Sequence, residues 1–252
     1  MKRGKLLISI ALGLSLLFVA LIFFKQYILS DLVRCLVLPW VLFYAMITFK
    51  RKNAFYYFLL FYTVGELIGL SYYTTHVTNL INDTVYFGAN SCFVIAYAFL
   101  IYYIFKLIDA KHLIEKLSLY IIILLALDIY CVVLVTNIAV ESYQLFSIYD
   151  YILELSYNTI IMLLLTVALL NYISKDSKKA FLLFLGALCI VVSEITQVAY
   201  FYVSEIHYLQ VLYSILLILA FMLFIRQYKL SHEAPSIFQP LEKVPAKGIA
   251  QQ

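Results

Sequence analysis

Residues 117–138 read LSLYIIILLALDIYCVVLVTNI, and this stretch decides the class of fold. Asp128 is its one charged side chain, and most of the others are aliphatic. A helix that crosses a bilayer needs about 20 mostly apolar residues. The whole chain has the same character: 65% of its 252 residues are hydrophobic and 13% are charged, whereas a soluble domain has about 25% charged residues. The composition therefore predicts a polytopic membrane protein and excludes a soluble enzyme or binding domain.

Seven further stretches are apolar and long enough to cross a membrane. Together with the first, they predict an all-α fold with eight transmembrane helices in one domain, residues 1–229. The predicted spans are 6–24, 32–49, 54–73, 84–105, 117–138, 148–173, 180–203 and 207–228. Residues 230–252 show little hydrophobic periodicity, so they are predicted to form a cytoplasmic tail that is flexible or lies on the membrane surface.

The basic residues predict the orientation of these spans. They cluster before the first span, after the last span and in every second loop, and only Lys25 and Arg34 lie toward the other side. Because basic loops remain in the cytoplasm, both termini are predicted to be cytoplasmic. The formal net charge of +4 follows from this distribution and does not indicate a nucleic-acid partner. The compact domain and short loops favour a bacterial plasma membrane.

Two spans share a short pattern, GELIGLSYY at 65–73 and SEITQVAYF at 193–201. Each copy has a small residue before a glutamate and, further on, a small residue, a tyrosine and an aromatic residue. Both copies lie on predicted outward-running helices that follow a basic cluster. The pattern predicts a parallel 4+4 internal repeat, in which two halves are related by an axis along the membrane normal. Chance similarity between two aromatic-rich helices is the alternative.

Glu66 and Glu194, one in each copy of this pattern, are the candidate catalytic residues. A charge at the centre of a membrane helix costs about 2.5–3.5 kcal/mol, while each Leu or Ile returns only about 0.3–0.6 kcal/mol. Such residues face the protein interior or a wet cavity and by default indicate function. Both are predicted at a similar depth, beyond the midplane toward the outer face. The alternative is structural, with each carboxyl bonded to one of the 23 tyrosines.

Further polar side chains are predicted to lie near these glutamates, in the outer half of the membrane. The candidate substrate-binding residues are Arg34, Asn90, Asp128, Glu154, Asn158 and Gln197. Glu154 and Asn158 share one helix face with Asp150, because the three recur at intervals of four residues. Asp128 is predicted close to the level of the two glutamates. The simplest packing that satisfies these groups is a polar cavity that opens outward.

Structural roles are open for several of these residues. Asp150 and Glu154 are also well placed to cap the start of their helix, where the helix dipole favours negative charge. Arg34 is also in position to extend its charged end to the outer interface. Asp128 has the alternative of bonding to a neighbouring helix. The four cysteines contain no Cys-x-x-Cys pair and are predicted to be small buried side chains, and no metal or other cofactor is predicted.

Four short motifs occur in an order known from one membrane-protein family. They are Leu38-Pro39 in the second span, Gly65-Glu66 in the third, a segment from Phe87 to Tyr97 in the fourth, and Ser193-Glu194 in the seventh. The ordered set resembles the lysoplasmalogenase (YhhN-type) family of eight-helix membrane proteins over about residues 35–228. That family has Lys-Pro, Gly-Asp, a histidine at the place of Tyr97, and Ser-Asp. This chain departs from the pattern at Leu38, Tyr97 and both glutamates.

The resemblance implies hydrolysis of the vinyl-ether bond of a lysoplasmalogen, a membrane lysolipid, to a fatty aldehyde and a glycerophospho-headgroup. Glu66 and Glu194 would act as acid and base, as paired carboxyls do in glycosidases, and Arg34 would hold the phosphate. A glutamate carries its carboxyl one methylene further than an aspartate, and a misplacement of about 1 Å can lower a rate on the order of 100-fold. Two other functions therefore remain open: a non-catalytic lipid- or partner-binding protein of the same fold, and a proton-coupled transporter or sensor.

Overall fold

The computed structural model describes residues 2–48, 52–71, 79–141, 147–204 and 206–230. Within these ranges the chain is helical, with short connections and no β-strand. The predicted all-α class is therefore confirmed. Apart from its first residue, the predicted tail at 230–252 lies outside the described residues.

Eight α-helices occupy the described part of the chain, and each overlaps one predicted span. They are α1 (Lys2–Phe23), α2 (Tyr27–Thr48), α3 (Ala54–Leu70), α4 (Asn79–Phe105), α5 (Ala110–Glu141), α6 (Ile148–Lys175), α7 (Lys178–Val198) and α8 (His207–Tyr228). The helices from α4 to α8 contain stretches long and apolar enough to cross a membrane, and α1 to α3 contain shorter apolar stretches. These long apolar helices give the chain the architecture of an integral membrane protein.

The outer surface of α5 agrees with this class of protein. Leu119, Ile122 and Ile129 are between 64% and 67% exposed. Large contiguous apolar patches are rare on soluble monomers and mark surfaces that meet a membrane or another protein. An apolar face of this kind is suited to contact with lipid chains.

Two features account for the differences between the predicted and observed ends of α5 and α7. Helix α5 begins at Ala110, before the predicted start at 117, because it continues past a kink at Leu117, where φ is −122° and ψ is 19°. Helix α7 is followed by a single π-helical turn at Ala199–Val203. Such turns are frequent at functional sites.

Side-chain caps set the start of several helices. The Ser147 side chain accepts a hydrogen bond from the Asp150 backbone, and the Asp150 carboxyl accepts one from the Ser147 backbone, so the two form a capping box at the start of α6. Asp150 therefore has the capping role that the sequence left open. A left-handed residue, Asp176 with φ of 40°, ends α6, and Ser177 then caps α7.

Aromatic rings pack α3 against α8 in the core. Phe58 and Phe221 stack in parallel with ring centroids 5.5 Å apart, and Phe224 meets Phe58 edge-on at 5.8 Å. Gly186 on α7 lies so close to the Phe224 ring that a Cβ atom there would collide with it. Because each large ring buries about 150–250 Å², this packing fixes the helices that carry the candidate site.

Candidate functional site

Glu66 lies on the side of α3 that faces α2, and it is 7% exposed. The Nη1 atom of Arg34 lies 3.4 Å from each of its carboxyl oxygens and donates a hydrogen bond to Oε1. The Cys35 thiol donates a longer hydrogen bond to Oε2, at 3.5 Å. Arg34 was predicted to bind substrate. In the structure it is the ion-pair partner of Glu66, and its side chain is 16% exposed.

Glu194 lies on α7 and faces α4, and its partners are hydroxyl groups. The Tyr97 hydroxyl donates a hydrogen bond to Oε1 of Glu194, and the Tyr157 hydroxyl is a second neighbour of the same carboxyl. Tyr97 is fully buried. The sequence left open a bond to an unspecified tyrosine, and the structure assigns Tyr97 to this place.

Tyr62 on α3 links these two carboxyl groups. Its ring meets that of Tyr97 edge-on with centroids 5.8 Å apart, and its hydroxyl interacts with the Tyr97 hydroxyl. Glu66 and Glu194 each interact electrostatically with Tyr62, and also with one another. Glu66, Tyr62, Tyr97 and Glu194 therefore form one buried group, the carboxyl–tyrosine cluster.

Glu154 and Asn158 lie together on α6, as their spacing predicts. The Asn158 side-chain amide donates hydrogen bonds to Thr136 Oγ1 on α5 at 3.1 Å and to Glu154 Oε1 at 3.3 Å. Both residues are buried, and the charge of Glu154 also acts on Glu194. This pair therefore borders the carboxyl–tyrosine cluster.

The π-helical turn after α7 brings a further residue to Glu154. Tyr202 lies in this turn, and its hydroxyl interacts with Glu154 and with Tyr86 of α4. Neither tyrosine stands out in the sequence. Their only signal was a general abundance of aromatic residues, and hydropathy does not distinguish a π turn from the α-helix that it ends.

Asn90 and Gln197 do not join the cluster. The Asn90 side-chain amide donates to the backbone carbonyl of Tyr86, four residues earlier in the same helix, at 2.9 Å. Gln197 is half-buried near the end of α7. Neither residue makes a hydrogen bond to Glu66 or Glu194 in the described part of the chain.

Asp128 bonds to a part of α6 that differs from the part that borders the cluster. It accepts a hydrogen bond of 2.7 Å from Thr166 Oγ1 on α6. Two turns further along the same antiparallel helix pair, Thr136 meets Asn158, and eight residues of helix span about 12 Å. Asp128 is therefore about 12 Å along the helix pair from the level of Asn158 and binds a neighbouring helix, which is the structural role left open above.

The space beside Glu66 is small. Together with Arg34 and Leu38 it borders a cavity of about 10 Å³, which is close to the least volume that holds one water molecule. Leu38 is the position at which the resemblance would place a lysine, and it supplies an apolar wall. The predicted polar cavity opening outward is not what the structure shows at this position.

A larger apolar groove of about 250 Å³ lies between α2 and α8. Its lining residues are Val37, Trp40, Val41, Tyr44, Ile218, Phe221, Met222, Ile225, Arg226 and Lys229. Three of them, Val37, Ile218 and Phe221, also line the small cavity beside Glu66. This set of residues is called the α2–α8 groove below. It runs from the end of α8, where Arg226 and Lys229 lie, toward the Arg34–Glu66 pair.

The described residues hold no group of three or more His, Cys, Asp or Glu side chains suited to a metal ion. The four cysteines form no disulfide, and Cys35 and Cys189 are buried. The polar chemistry of the cluster therefore comes from carboxyl, hydroxyl and guanidinium groups.

Fold and site together define the class: a helical membrane protein with a buried carboxyl–tyrosine cluster beside an apolar groove. In comparisons with protein-family models, curated proteins and solved structures, nothing matches this chain. The lysoplasmalogenase resemblance therefore stays a prediction.

Proposed function

We propose that the chain is a lysoplasmalogenase-like membrane hydrolase that cleaves the vinyl-ether bond of a lysolipid. One observation carries the proposal. The motif positions of the resemblance come from four different helices and lie together: Leu38 borders the cavity at Glu66, and Tyr97 binds Glu194. Tyr62 interacts with both Glu66 and Glu194 and so links the two ends of the cluster. Motif residues that are far apart in the chain and close in space are what a shared site requires.

Two carboxyl groups suffice for this reaction. One carboxylic acid donates its proton to the enol-ether carbon, which leaves an oxocarbenium ion, and the other carboxylate takes a proton from the attacking water. The hemiacetal that forms then breaks into an aldehyde and the alcohol of the headgroup. Glu66 and Glu194 supply the two carboxyls. The cavity at Glu66 has room for about one water molecule, so the Arg34–Glu66 pair must open to admit the lipid.

The test is aldehyde release from a lysoplasmalogen by the purified protein in detergent or liposomes. Glu66→Gln and Glu194→Gln are each expected to lower the rate of release to a small residual fraction of the wild-type rate. Asp128→Asn is the matched control, because it removes a carboxyl that lies outside the cluster, and it is expected to retain activity. Wild-type protein that releases no aldehyde from any vinyl ether would contradict the proposal.

A non-catalytic lipid-binding protein of the same fold is the second candidate. It is favoured by the fact that both carboxyls already have partners, Arg34 for Glu66 and Tyr97 for Glu194. In this case a lipid is expected to copurify with the protein, with no turnover of that lipid or of any vinyl ether. Turnover that depends on Glu66 and Glu194 would exclude this candidate.

We also propose that all eight helices cross a bacterial plasma membrane, with both termini in the cytoplasm and two four-helix halves. Glu66 and Glu194 lie on α3 and α7, the third helix of each proposed half, which is the correspondence that a repeat requires. The orientation is tested by replacing Lys25 or Lys106 with cysteine in intact cells. A membrane-impermeant thiol reagent is expected to label Lys25→Cys and not Lys106→Cys, and the reverse would contradict the orientation.

A further inference from the structure

We infer that the α2–α8 groove binds one alkyl chain of an anionic lipid, with the lipid headgroup held at Arg226 and Lys229. The inference concerns binding alone and does not rest on hydrolysis by Glu66 and Glu194.

The lining of the groove selects an alkyl chain. Most of its walls are aliphatic or aromatic side chains, among them Val37, Val41 and Phe221. A volume of about 250 Å³ is near the lower end of the range of small-molecule sites, about 300–1,000 Å³. It is therefore large enough for part of one chain and too small for a whole two-chain lipid, whose second chain stays in the bilayer.

The length of the groove fits the same ligand. Tyr44 lies at the end that contains Lys229, and Val37 lies at the end beside the Arg34–Glu66 pair. Val37 and Tyr44 are seven positions apart on α2, which corresponds to about 10 Å along the helix axis. A chain that enters at the basic end therefore runs along the helices toward the centre of the protein.

The charge at the open end selects an anionic headgroup. Arg226 and Lys229 are both exposed, and neither makes an ion pair with an acidic residue in the described part of the chain. The Lys229 ammonium group lies 5.0 Å from the centre of the Tyr44 ring, which keeps it over the groove. Under the proposed topology this end faces the cytoplasmic leaflet, where anionic lipids attract basic side chains.

Trp40 makes the inference directly measurable. It is the only tryptophan in the chain and lines the groove, so intrinsic tryptophan fluorescence reports on this site alone. The protein would be reconstituted in unlabelled phosphatidylcholine with a small fraction of lipid brominated on its chains, either phosphatidylglycerol or phosphatidylcholine. Each basic side chain at a membrane surface contributes about fivefold to binding of an anionic lipid, so two predict roughly 25-fold stronger apparent binding of the brominated phosphatidylglycerol.

Two double variants separate the groove from general surface charge. Arg226→Gln with Lys229→Gln is expected to remove the preference for phosphatidylglycerol. Lys106→Gln with Lys178→Gln is the matched control: it removes two exposed basic residues near the same ends of the helices, and Lys106 also lies over a tyrosine ring, at 4.5 Å from Tyr102. This control is expected to keep the preference.

Equal quenching of the wild-type protein by the two brominated lipids would overturn the inference. So would a preference that survives in Arg226→Gln with Lys229→Gln, or one that the control loses to the same extent. Deletion of residues 231–252 supplies a last arm. A preference that is absent in the full chain and emerges only after the deletion would mean that those residues occupy the groove, and it would overturn the inference as well.

Discussion

Glu66 and Glu194 occupy matching places in two similar sequence segments, but their surroundings differ. Glu66 faces a cation, with Arg34 Nη1 at 3.4 Å, and a small cavity. Glu194 faces the hydroxyl of a fully buried tyrosine and has no basic partner within the described residues. A pattern of small, acidic and aromatic residues thus sets where a carboxyl lies on its helix. The helix packed against it determines whether that carboxyl is paired with a charge or only hydrogen-bonded.

The small residue before each glutamate shows the same contrast. A Cβ atom at Gly65 would lie 2.7 Å from the Phe93 ring of α4, so α3 and α4 approach closely at this point. Ser193 instead donates a hydrogen bond of 2.7 Å to the backbone carbonyl of Tyr213 on α8. One position therefore serves close packing and the other serves a polar contact between helices.

The largest expected effect is on the Glu66 side. Arg34→Met leaves Glu66 buried without its cation, and removing one partner of a buried ion pair costs about 3–5 kcal/mol. The measurement is the free energy of unfolding in mixed micelles. The double variant Arg34→Met with Glu66→Gln is expected to recover most of this loss.

Arg226→Met is the control for this prediction, because Arg226 is exposed at the end of α8. It is expected to change the free energy of unfolding by no more than about 0.5 kcal/mol. If Arg34→Met and Arg226→Met lowered the free energy of unfolding equally, the Arg34–Glu66 ion pair would not account for the larger effect expected on the Glu66 side.

The next effect concerns packing beside Glu66. Gly65→Ala forces the Phe93 ring to move, and overpacking of this kind costs about 1–3 kcal/mol of unfolding free energy. Gly69→Ala is the matched control one turn along the same helix, where an added Cβ meets nothing within 4 Å. Because alanine favours a helix over glycine by about 0.5–1 kcal/mol, Gly69→Ala is expected to be neutral or stabilising. The same result for both variants would contradict the close approach of α3 and α4.

The Glu194 side is expected to be less sensitive. Tyr97→Phe removes one hydrogen bond to the carboxyl, and such bonds between membrane helices contribute about 0.6 kcal/mol on average and about 1.7 at most. Tyr102→Phe, on an exposed tyrosine of the same helix, is the control and is expected to leave stability unchanged. A loss for Tyr97→Phe as large as that for Arg34→Met would remove the contrast between the two glutamates.

The smallest effect is expected for the hydrogen bond between Thr166 and Asp128, which lies outside the cluster. Thr166→Val removes the hydrogen bond to Asp128 and is expected to cost about 0.6 kcal/mol. It should leave aldehyde release unchanged, because Asp128 lies about two helical turns from the level of Asn158. If Thr166→Val released aldehyde as slowly as Glu66→Gln, Asp128 would belong to the site.

The sequence predicted the helices well because hydropathy depends on composition along the chain. It placed the start of one span at 117, where the structure has the kink of α5. Partners were harder to predict, because they depend on which helix faces which. Arg34 was the one basic residue available inside the predicted membrane region, so its pairing with Glu66 was within reach. With 23 tyrosines in the chain, nothing in the sequence could single out Tyr97 as the partner of Glu194.

The most direct test of a single shared site is a double-mutant cycle on the rate of aldehyde release from a lysoplasmalogen. Residues that act as a unit have non-additive effects on catalysis. Glu66→Gln with Glu194→Gln together are therefore expected to be no slower than either variant alone, while Asp128→Asn stays active. Rate losses that multiply in the double variant would contradict one site, and a wild-type protein without turnover would contradict catalysis at it.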